Sequence, residues 1–327
     1  MSGATSDLEY LEELLGSRAR ELSEQSALLL AAAPARERPN AHLLSVGEAR
    51  KRYEADIAVA GTGEEVAEVR EHRVPTAGAS IEVREFRPTL GVLPAIIYLH
   101  GGGWVLGSVN SHQAVCRALA NAAEACVFSV GYRLAPEAPF PAAVDDSYAA
   151  IRWVHANADA LGVQRDRLAV AGDSAGGNLA TVVAILCRDQ GGPMLRMQVL
   201  AYPVTTVDVE HGFDTAYEGF FLYRDEMRWY RDNYLAEPTQ RDHPWVSPLE
   251  RANLGGLPPA LIVTAQCDPL RPQGELYAQA LASAGVEVRH RQWPGTLHGF
   301  FVLPHVFAEG AEAVELAGTE LRQRFES

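Results

Sequence analysis

Six short apolar runs, separated by segments of helical length, constrain the fold of this chain more than any other feature. The runs are Ala95–Leu99, Cys126–Val130, Leu168–Ala171, Val199–Tyr202, Ala260–Thr264 and Val286–Trp293. Strands of this kind are typical of a parallel sheet that is buried on both faces, and the helical segments between them supply the crossover connections. The alternation therefore predicts an α/β fold with a mostly parallel central sheet flanked by helices.

Upstream of these runs the hydrophobic pattern has other periods. Leucines recur at helical spacing over Leu8–Leu29, which predicts an amphipathic N-terminal helix that Pro34 and Pro39 end. A second short helix is predicted over Ser45–Ile57. The period shifts to two over Val66–Arg87, which indicates an antiparallel start to the sheet.

One stretch interrupts the alternation of strands and helices. Between Pro203 and Trp245 there is no buried-strand pattern, but aromatic residues are frequent. An insertion of this length is uncommon in a compact domain unless it is functional. We interpret it as a helical lid, completed by the N-terminal helices.

The charged residues exclude several classes of function. Lys51 is the single lysine among 28 Lys and Arg residues, and it stands between two arginines without a motif around it. Pyridoxal-phosphate enzymes, Schiff-base aldolases and Ser-x-x-Lys hydrolases need a placed amine, and a P-loop needs its own lysine. With 42 Asp and Glu residues the net charge is −14, which disfavours nucleic acids and anionic membranes as partners.

The four cysteines match neither a zinc-ligand spacing nor a redox pair, so we expect free thiols, no metal and no cofactor. They are Cys116, Cys126, Cys187 and Cys267. The N-terminus has no basic region before an apolar stretch, and no uninterrupted apolar run approaches the length of a membrane span. We expect a soluble, cytoplasmic protein.

A nucleophile motif, Gly172-Asp173-Ser174-Ala175-Gly176, lies between a predicted strand and a predicted helix. In such a turn the serine is held in a strained conformation that exposes its hydroxyl, while the glycines leave room where a side chain would clash. The helix that follows favours negative charge at the same place. The motif therefore predicts a nucleophilic serine.

A second motif, His100-Gly101-Gly102-Gly103-Trp104, follows the first apolar run. Three consecutive glycines allow the loop to turn its amide groups towards a ligand, as an oxyanion hole requires. We expect His100 to stabilise the loop conformation rather than to transfer protons.

A nucleophilic serine needs a histidine as base and a carboxylate that orients the histidine. Asp268 and His298 each follow a predicted strand downstream of Ser174, where the carboxyl ends of parallel strands would bring them together. The competing candidates lie inside a strand, before a helix or in the aromatic-rich insertion: His290, His305, Asp225 and Asp242.

These motifs identify a family resemblance that runs from about residue 45 to the C-terminus. Besides the two glycine motifs, it rests on Tyr132–Glu137, Phe140–Asp146, Asp268–Arg271 and His298-Gly299-Phe300. In these segments the chain resembles the bacterial hormone-sensitive lipase-like (family IV) carboxylesterases of the α/β-hydrolase superfamily. The resemblance implies the α/β-hydrolase fold, with residues 1–60 and the insertion 204–245 forming a helical cap and residues 61–203 and 246–327 forming the catalytic core.

The resemblance also implies the role of each site residue. Ser174 would be the nucleophile, His298 the general base and then acid, and Asp268 the orienting carboxylate. The backbone amides that would form the oxyanion hole are Gly102, Gly103 and Ala175. Pro272-Gln273 stands where the family usually has Asp-Glu, so this chain lacks two carboxylates near Asp268.

The expected function is a serine carboxylesterase that acts on small esters of short- to medium-chain acids. The acyl pocket is predicted from aromatic and apolar residues near the oxyanion motif and in the insertion: Trp104, Phe220, Phe221 and Leu222. An amidase, a lactonase or an arylformamidase would use the same residues, and a non-catalytic ligand-binding protein of the same fold is a further alternative. Val286–Trp293 would form a sheet edge, through which we expect a homodimer.

Overall fold

The apolar runs become neighbouring strands of one sheet in the computed structural model, which describes residues 10–13, 15–32, 40–250 and 253–327. The strands are β1 (Glu68–Thr76), β2 (Ala79–Arg87), β3 (Leu93–Leu99), β4 (Cys126–Gly131), β5 (Val163–Asp173), β6 (Leu195–Ala201), β7 (Ala260–Cys267) and β8 (Val288–Leu297). Their order in the sheet is β1-β2-β4-β3-β5-β6-β7-β8. β2 pairs antiparallel with β1 and β4, and the pairs from β4 to β8 are parallel. The predicted mostly parallel sheet with an antiparallel start is confirmed.

Helices cover both faces of this sheet. They are α1 (Glu24–Ala31), α2 (Val46–Ile57), α3 (Gln113–Ala123), α4 (Ala142–Ala156), α5 (Ala158–Leu161), α6 (Ala175–Asp189), α7 (Arg224–Tyr234), α8 (Arg271–Ser283) and α9 (Ala308–Glu326). The core on one face joins α4, α6 and α8 to strand residues such as Ile97. The core on the other face joins α3 and α9 to Ile96 and Tyr98. Successive residues of β3 thus enter opposite cores, which explains why the strand is apolar throughout.

The last strand lies further along the chain than predicted. The prediction was Val286–Trp293, whereas β8 covers Val288–Leu297. Val286 donates its amide to Leu281 O, in the turn that follows α8. Pairing of Leu297 with Cys267 extends the strand beyond Trp293. β8 forms one edge of the sheet, as expected, while the homodimer through this edge stays a prediction.

The prediction of one continuous N-terminal helix was wrong. Residues 10–13 are helical, but Gly16–Glu21 form a 3-10 helix and α1 starts afresh at Glu24. Gly16 has a φ of 62°, and Ser23 caps α1 by accepting a hydrogen bond from the Ser26 amide. A glycine and an N-cap serine therefore interrupt the leucine periodicity. The residues Leu8, Pro34 and Pro39 of that prediction lie outside the described residues.

The predicted second helix is confirmed as α2, which begins with a capping box between Ser45 and Glu48. The insertion contains α7 and two 3-10 helices, Thr215–Tyr217 and Pro238–Asp242. It contacts the N-terminal segment, because the Tyr217 hydroxyl donates to Glu21 at 2.6 Å and the Ala41 amide donates to Glu226 at 2.7 Å.

The four cysteines are free and buried, as expected. Burial raises the pKa of the Cys126, Cys187 and Cys267 thiols to about 12, so these thiols stay protonated at neutral pH. None of the described helices is long and apolar enough to cross a membrane.

Candidate active site

The three predicted triad residues each follow a strand directly. Ser174 comes after β5, Asp268 after β7 and His298 after β8. Because these strands are parallel, their carboxyl ends meet at the same edge of the sheet. The fold therefore brings together residues that lie far apart in the sequence.

The three side chains form a continuous hydrogen-bonded series. His298 Nε2 lies 2.9 Å from Ser174 Oγ, and His298 Nδ1 lies 2.8 Å from Asp268 Oδ2. Asp268 is fully buried and its other oxygen accepts the Leu270 amide at 2.8 Å. A proton on His298 Nδ1, donated to Asp268, leaves Nε2 free to accept the serine hydroxyl proton.

Ser174 has the strained backbone that the nucleophile motif predicts. Its φ is 53° and its ψ is −119°, a conformation that non-glycine residues rarely adopt. The turn is tight, since a Cβ added at Gly176 would lie 1.9 Å from Leu99 O. The Ser174 amide donates to Ala201 O at 2.9 Å, which anchors the turn to the end of β6.

The amides predicted for the oxyanion hole are available to a ligand. In the described part of the chain, the Gly102 and Gly103 amides donate no hydrogen bond. Ala175 is the first residue of α6, so its amide has no acceptor within the helix. A Cβ at Gly103 would lie 2.2 Å from Tyr230 Cδ1, so the loop fits tightly against α7.

Asp173, whose role the sequence analysis missed, connects the two glycine motifs. Its buried Oδ1 accepts the Gly101 amide at 3.0 Å and the Tyr98 hydroxyl at 2.9 Å, and lies 3.4 Å from His112 Nε2. Burial raises the pKa of this carboxyl, but the neighbouring His112 ring and the Tyr98 hydroxyl outweigh burial and hold the pKa below its usual value. A buried aspartate beside the nucleophile thus fixes the start of the glycine loop, which comprises Gly101, Gly102 and Gly103.

His100 is buried and neutral. Its Nδ1 lies 2.8 Å from Gly101 O, and its ring stacks on Tyr132 at 4.2 Å between centroids. Burial lowers the pKa of His100 to about 3, with a contribution from His112. A histidine held neutral between the loop and Tyr132 fits the structural role expected for it.

A cavity of about 700 Å³ opens over Ser174 and His298. Of the predicted pocket residues, Trp104, Phe221 and Leu222 line it. Phe220 does not, and its prediction was wrong: this side chain is buried in a separate core, edge-on to Tyr217 at 5.3 Å.

Several residues that line the cavity were not among the predicted pocket residues. The Tyr202 ring packs against His298 at 4.4 Å between centroids. Other contributions come from α2, α7 and the segment after β8: Tyr53, Met227, Tyr230, Val302, Leu303 and Phe307. No short motif marks these residues, because each is brought to the cavity by the packing of a whole helix or loop.

Gln273, which replaces the usual acidic residue, holds one end of the insertion. Its buried Oε1 accepts the amides of Thr205 at 2.9 Å and Thr206 at 3.2 Å. A neutral amide can accept these hydrogen bonds without a buried charge. Gln273 therefore connects α8 to the beginning of the insertion.

The competing candidates have other partners. His290 Nε2 lies 2.9 Å from Thr264 Oγ1 on the neighbouring strand, and Asp225 pairs with Arg228 at 2.9 Å on α7. His305 and Asp242 are exposed. Among the residues that the structure describes, no group of three or more His, Cys, Asp or Glu side chains could hold a metal ion.

Known proteins are similar to this chain in sequence and in fold. A family model described as alpha/beta hydrolase fold matches residues 96–302. The carboxylesterase NlhH of Mycobacterium tuberculosis is 46% identical over 225 residues, which are 68% of this chain and 70% of the relative. The ethyl acetate hydrolase of Pseudomonas putida is 38% identical over 274 residues, which are 81% of this chain and 86% of the relative.

Two solved structures that superpose on this chain also carry the name of an esterase or ester hydrolase. The esterase of Pyrobaculum calidifontis superposes with a TM-score of 0.84 at 40% identity, covering 92% of this chain and 98% of its own. An ester hydrolase from the metagenome of Lake Arreo, solved with a bipyridine phosphonate derivative, has a TM-score of 0.88 at 38% identity and covers 94% of this chain and 100% of its own.

Proposed function

The chain belongs to the α/β-hydrolase fold family, in its hormone-sensitive lipase-like (family IV) carboxylesterase branch, and on this premise we propose that it hydrolyses short- to medium-chain acyl esters through Ser174, His298 and Asp268. The observation that carries the proposal is the hydrogen-bonded series from Ser174 Oγ through the His298 ring to Asp268. A strained serine without such a base would be a poor nucleophile.

In the proposed mechanism, Ser174 Oγ attacks the ester carbonyl while His298 Nε2 takes its proton. Asp268 keeps the imidazole in the required tautomer and stabilises its protonated form. The alcohol then leaves with a proton from His298 Nε2, and an acyl group remains on Ser174. Water attacks this acyl-enzyme with the same general-base assistance and releases the acid.

Charge that develops on the carbonyl oxygen would be stabilised by backbone amides. The candidates are Gly102, Gly103 and Ala175, whose amides have no acceptor in the described chain. Donors that are already oriented need little reorganisation during the reaction, and each contributes about 10²–10³-fold to turnover. This supports the placement of the reacting carbonyl between the glycine loop and α6.

The preference for short to medium acyl chains rests on the boundaries of the cavity. Trp104 stacks on Tyr234 at 4.3 Å between centroids, and Tyr230 lies against the glycine loop. Trp104 and Tyr230 line a cavity of about 700 Å³ that would be shared by the acyl and alcohol parts of an ester.

A series of p-nitrophenyl esters from acetate to palmitate, measured on the wild type and on Ser174→Ala, tests the proposal. We expect the highest kcat/KM between acetate and octanoate, and no hydrolysis above background for Ser174→Ala. A maximum at palmitate would overturn the chain-length preference. Hydrolysis by Ser174→Ala at the wild-type rate would overturn the assignment of the nucleophile.

A further inference from the structure

The cavity is mainly apolar, but two helices that line it contribute polar side chains. These side chains, here called the polar wall, belong to α2 and α7: Arg52, Tyr53, Asp56, Glu226 and Tyr230. An apolar pocket with a few fixed polar groups is typical of a site that recognises a particular polar atom of its ligand. The polar wall therefore bears on which esters the site selects.

Contacts on both sides of Tyr53 in the sequence hold α2 against the segment that follows the glycine loop. Arg50, three residues before Tyr53, donates from its Nε to Val105 O at 2.9 Å. Glu54, the next residue, accepts the Ser108 hydroxyl at 2.8 Å. Because these contacts anchor α2 on both sides of Tyr53, its phenol has a defined position in the cavity.

Tyr230 is equally fixed, from the opposite helix. Its ring lies so close to the glycine loop that a Cβ at Gly103 would come within 2.2 Å of its Cδ1. One turn later in α7, Tyr234 stacks on Trp104 at 4.3 Å between centroids with an interplanar angle of 4°. Residues four apart share a helix face, so this stack also holds Tyr230 against the loop.

The charged members of the polar wall have protein partners, whereas the two hydroxyls do not. Glu226 accepts the Ala41 amide at 2.7 Å, and Arg52 pairs with Asp56 at 3.8 Å along α2. Within the described chain, neither the Tyr53 nor the Tyr230 hydroxyl makes a hydrogen bond. Polar groups in protected sites usually have partners. The neutral hydroxyls, rather than the charges, are thus available to a ligand.

The position of the polar wall relative to the triad residues indicates which part of an ester it would contact. The leaving oxygen must lie within reach of His298 Nε2, which protonates it. The leaving alcohol would therefore lie on the His298 side of Ser174. Tyr230 lies instead against Gly103, whose amide would hold the carbonyl oxygen, so we place the acyl carbons next to that carbonyl within reach of the polar wall.

We propose that the hydroxyls of Tyr53 and Tyr230 form a polar subsite for a hydroxyl or keto oxygen on the acyl chain, so that hydroxyacyl and ketoacyl esters are preferred to unsubstituted ones. A phenol both donates and accepts a hydrogen bond, so it can bind either oxygen. The proposal rests on the proposed ester hydrolysis at Ser174 and specifies its substrate class.

The test compares p-nitrophenyl butyrate with its α-hydroxy and β-hydroxy analogues on the wild type, Tyr53→Phe, Tyr230→Phe and the double variant. We expect the ratio of kcat/KM, hydroxy analogue over butyrate, to fall about 3- to 10-fold in each single variant and further in the double variant. Differences in chemical reactivity between the esters cancel, since the same pair is compared in every protein. A general structural defect would lower kcat/KM for butyrate and for its hydroxy analogue alike, and would leave their ratio unchanged.

Tyr148→Phe, on α4 outside the cavity, is the matched control and should keep the wild-type kcat/KM for all three esters. Unchanged ratios for both hydroxy esters in both Phe variants would overturn the polar subsite. A wild-type preference for the ammonium-bearing β-aminobutyrate ester over the β-hydroxy ester would also overturn it, because the charged members would then be the ones that bind. If butyrate hydrolysis itself did not depend on Ser174, the proposed function would fail, which is a distinguishable result.

Discussion

The strand-end residues and the cavity wall of this protein are built in different ways. Ser174, Asp268 and His298 each stand directly after a buried strand, and hydrogen bonds of 2.8–2.9 Å connect them. The cavity wall comes from α2, α7 and loops, and includes exposed side chains such as Leu43 and Phe221. The sheet positions the residues of the proposed chemistry, whereas segments outside the sheet surround the proposed binding place of the ester. The two regions should therefore respond differently to substitution.

The largest expected effect is the loss of turnover when one of the strand-end residues is replaced. Ser174→Ala and His298→Ala should each lower kcat by about 10⁶-fold, because the nucleophile and its base act as a unit. Steady-state kinetics with p-nitrophenyl butyrate measures this. His243→Ala, in the insertion, is the control and should remain within about tenfold of wild type, as a residue away from the reacting atoms. Measurable turnover near the wild-type rate in His298→Ala would break the distinction between the two regions.

Two adjacent phenylalanines of the insertion should separate stability from substrate binding. Phe220→Ala should lower the free energy of unfolding by about 3–5 kcal/mol, because it empties a buried site. Phe221→Ala, at a side chain that is 42% exposed, should change stability by only about 0.5 kcal/mol and should raise KM instead. Chemical denaturation and kinetics on both variants measure this, and the opposite assignment of the two effects would contradict the structure.

The glycine loop joins the two regions, so its response should be intermediate. Gly103 has a φ of 60°, and an added Cβ would meet the Tyr230 ring at 2.2 Å. Gly103→Ala should move the loop amide and lower kcat by about 10²–10³-fold. Gly47→Ala, with open space around its position, serves as the control. An unchanged kcat in Gly103→Ala would show that this amide does not stabilise the reacting oxygen.

The last expected effect is a gradual one, a pH dependence of stability from His100. Burial lowers the pKa of this histidine to about 3, so the folded chain keeps it neutral, while in the unfolded chain it takes up a proton below roughly pH 6.5. Protons then favour the unfolded state, and the free energy of unfolding should fall by up to about 1.4 kcal/mol per pH unit as the pH drops below that value.

Denaturant titrations of the wild type and His100→Gln between pH 7 and 4 measure this contribution. The wild-type stability should fall more steeply with decreasing pH than that of the variant. The lowered pKa of Asp173 acts in the same direction, but only near and below roughly pH 4, where the carboxyl in the unfolded chain takes up its proton. Parallel curves for the two proteins over the whole range would exclude the contribution of His100.

Short-range patterns predicted the strand-end region well. The parallel strands are buried on both faces, so their sequences are uniformly apolar, and the positions after them are easily found. The strained turn at Ser174 also has its own local motif, because glycines are needed on either side of the serine where a side chain would clash. Asp173 was missed because its role depends on Tyr98 and Gly101, which lie more than 70 positions away.

The cavity wall was predicted less well, for physical reasons. Phe220 and Phe221 are identical neighbours in an irregular segment, where no periodicity distinguishes the buried side chain from the exposed one. Phe221 has a φ of 77°, which a sequence pattern does not reveal for a non-glycine residue. Tyr53 and Tyr230 line the same cavity because α2 and α7 both pack near the glycine loop, and that packing is a property of the whole fold.

Covalent labelling with a fluorophosphonate probe tests the central claim most directly, because the probe reacts with a serine only when a working base activates it. Intact-protein and peptide mass spectrometry should find one adduct per chain, on Ser174 Oγ, and no adduct in Ser174→Ala or His298→Ala. An adduct that persists in Ser174→Ala, or an unlabelled wild-type protein, would contradict the proposed nucleophile.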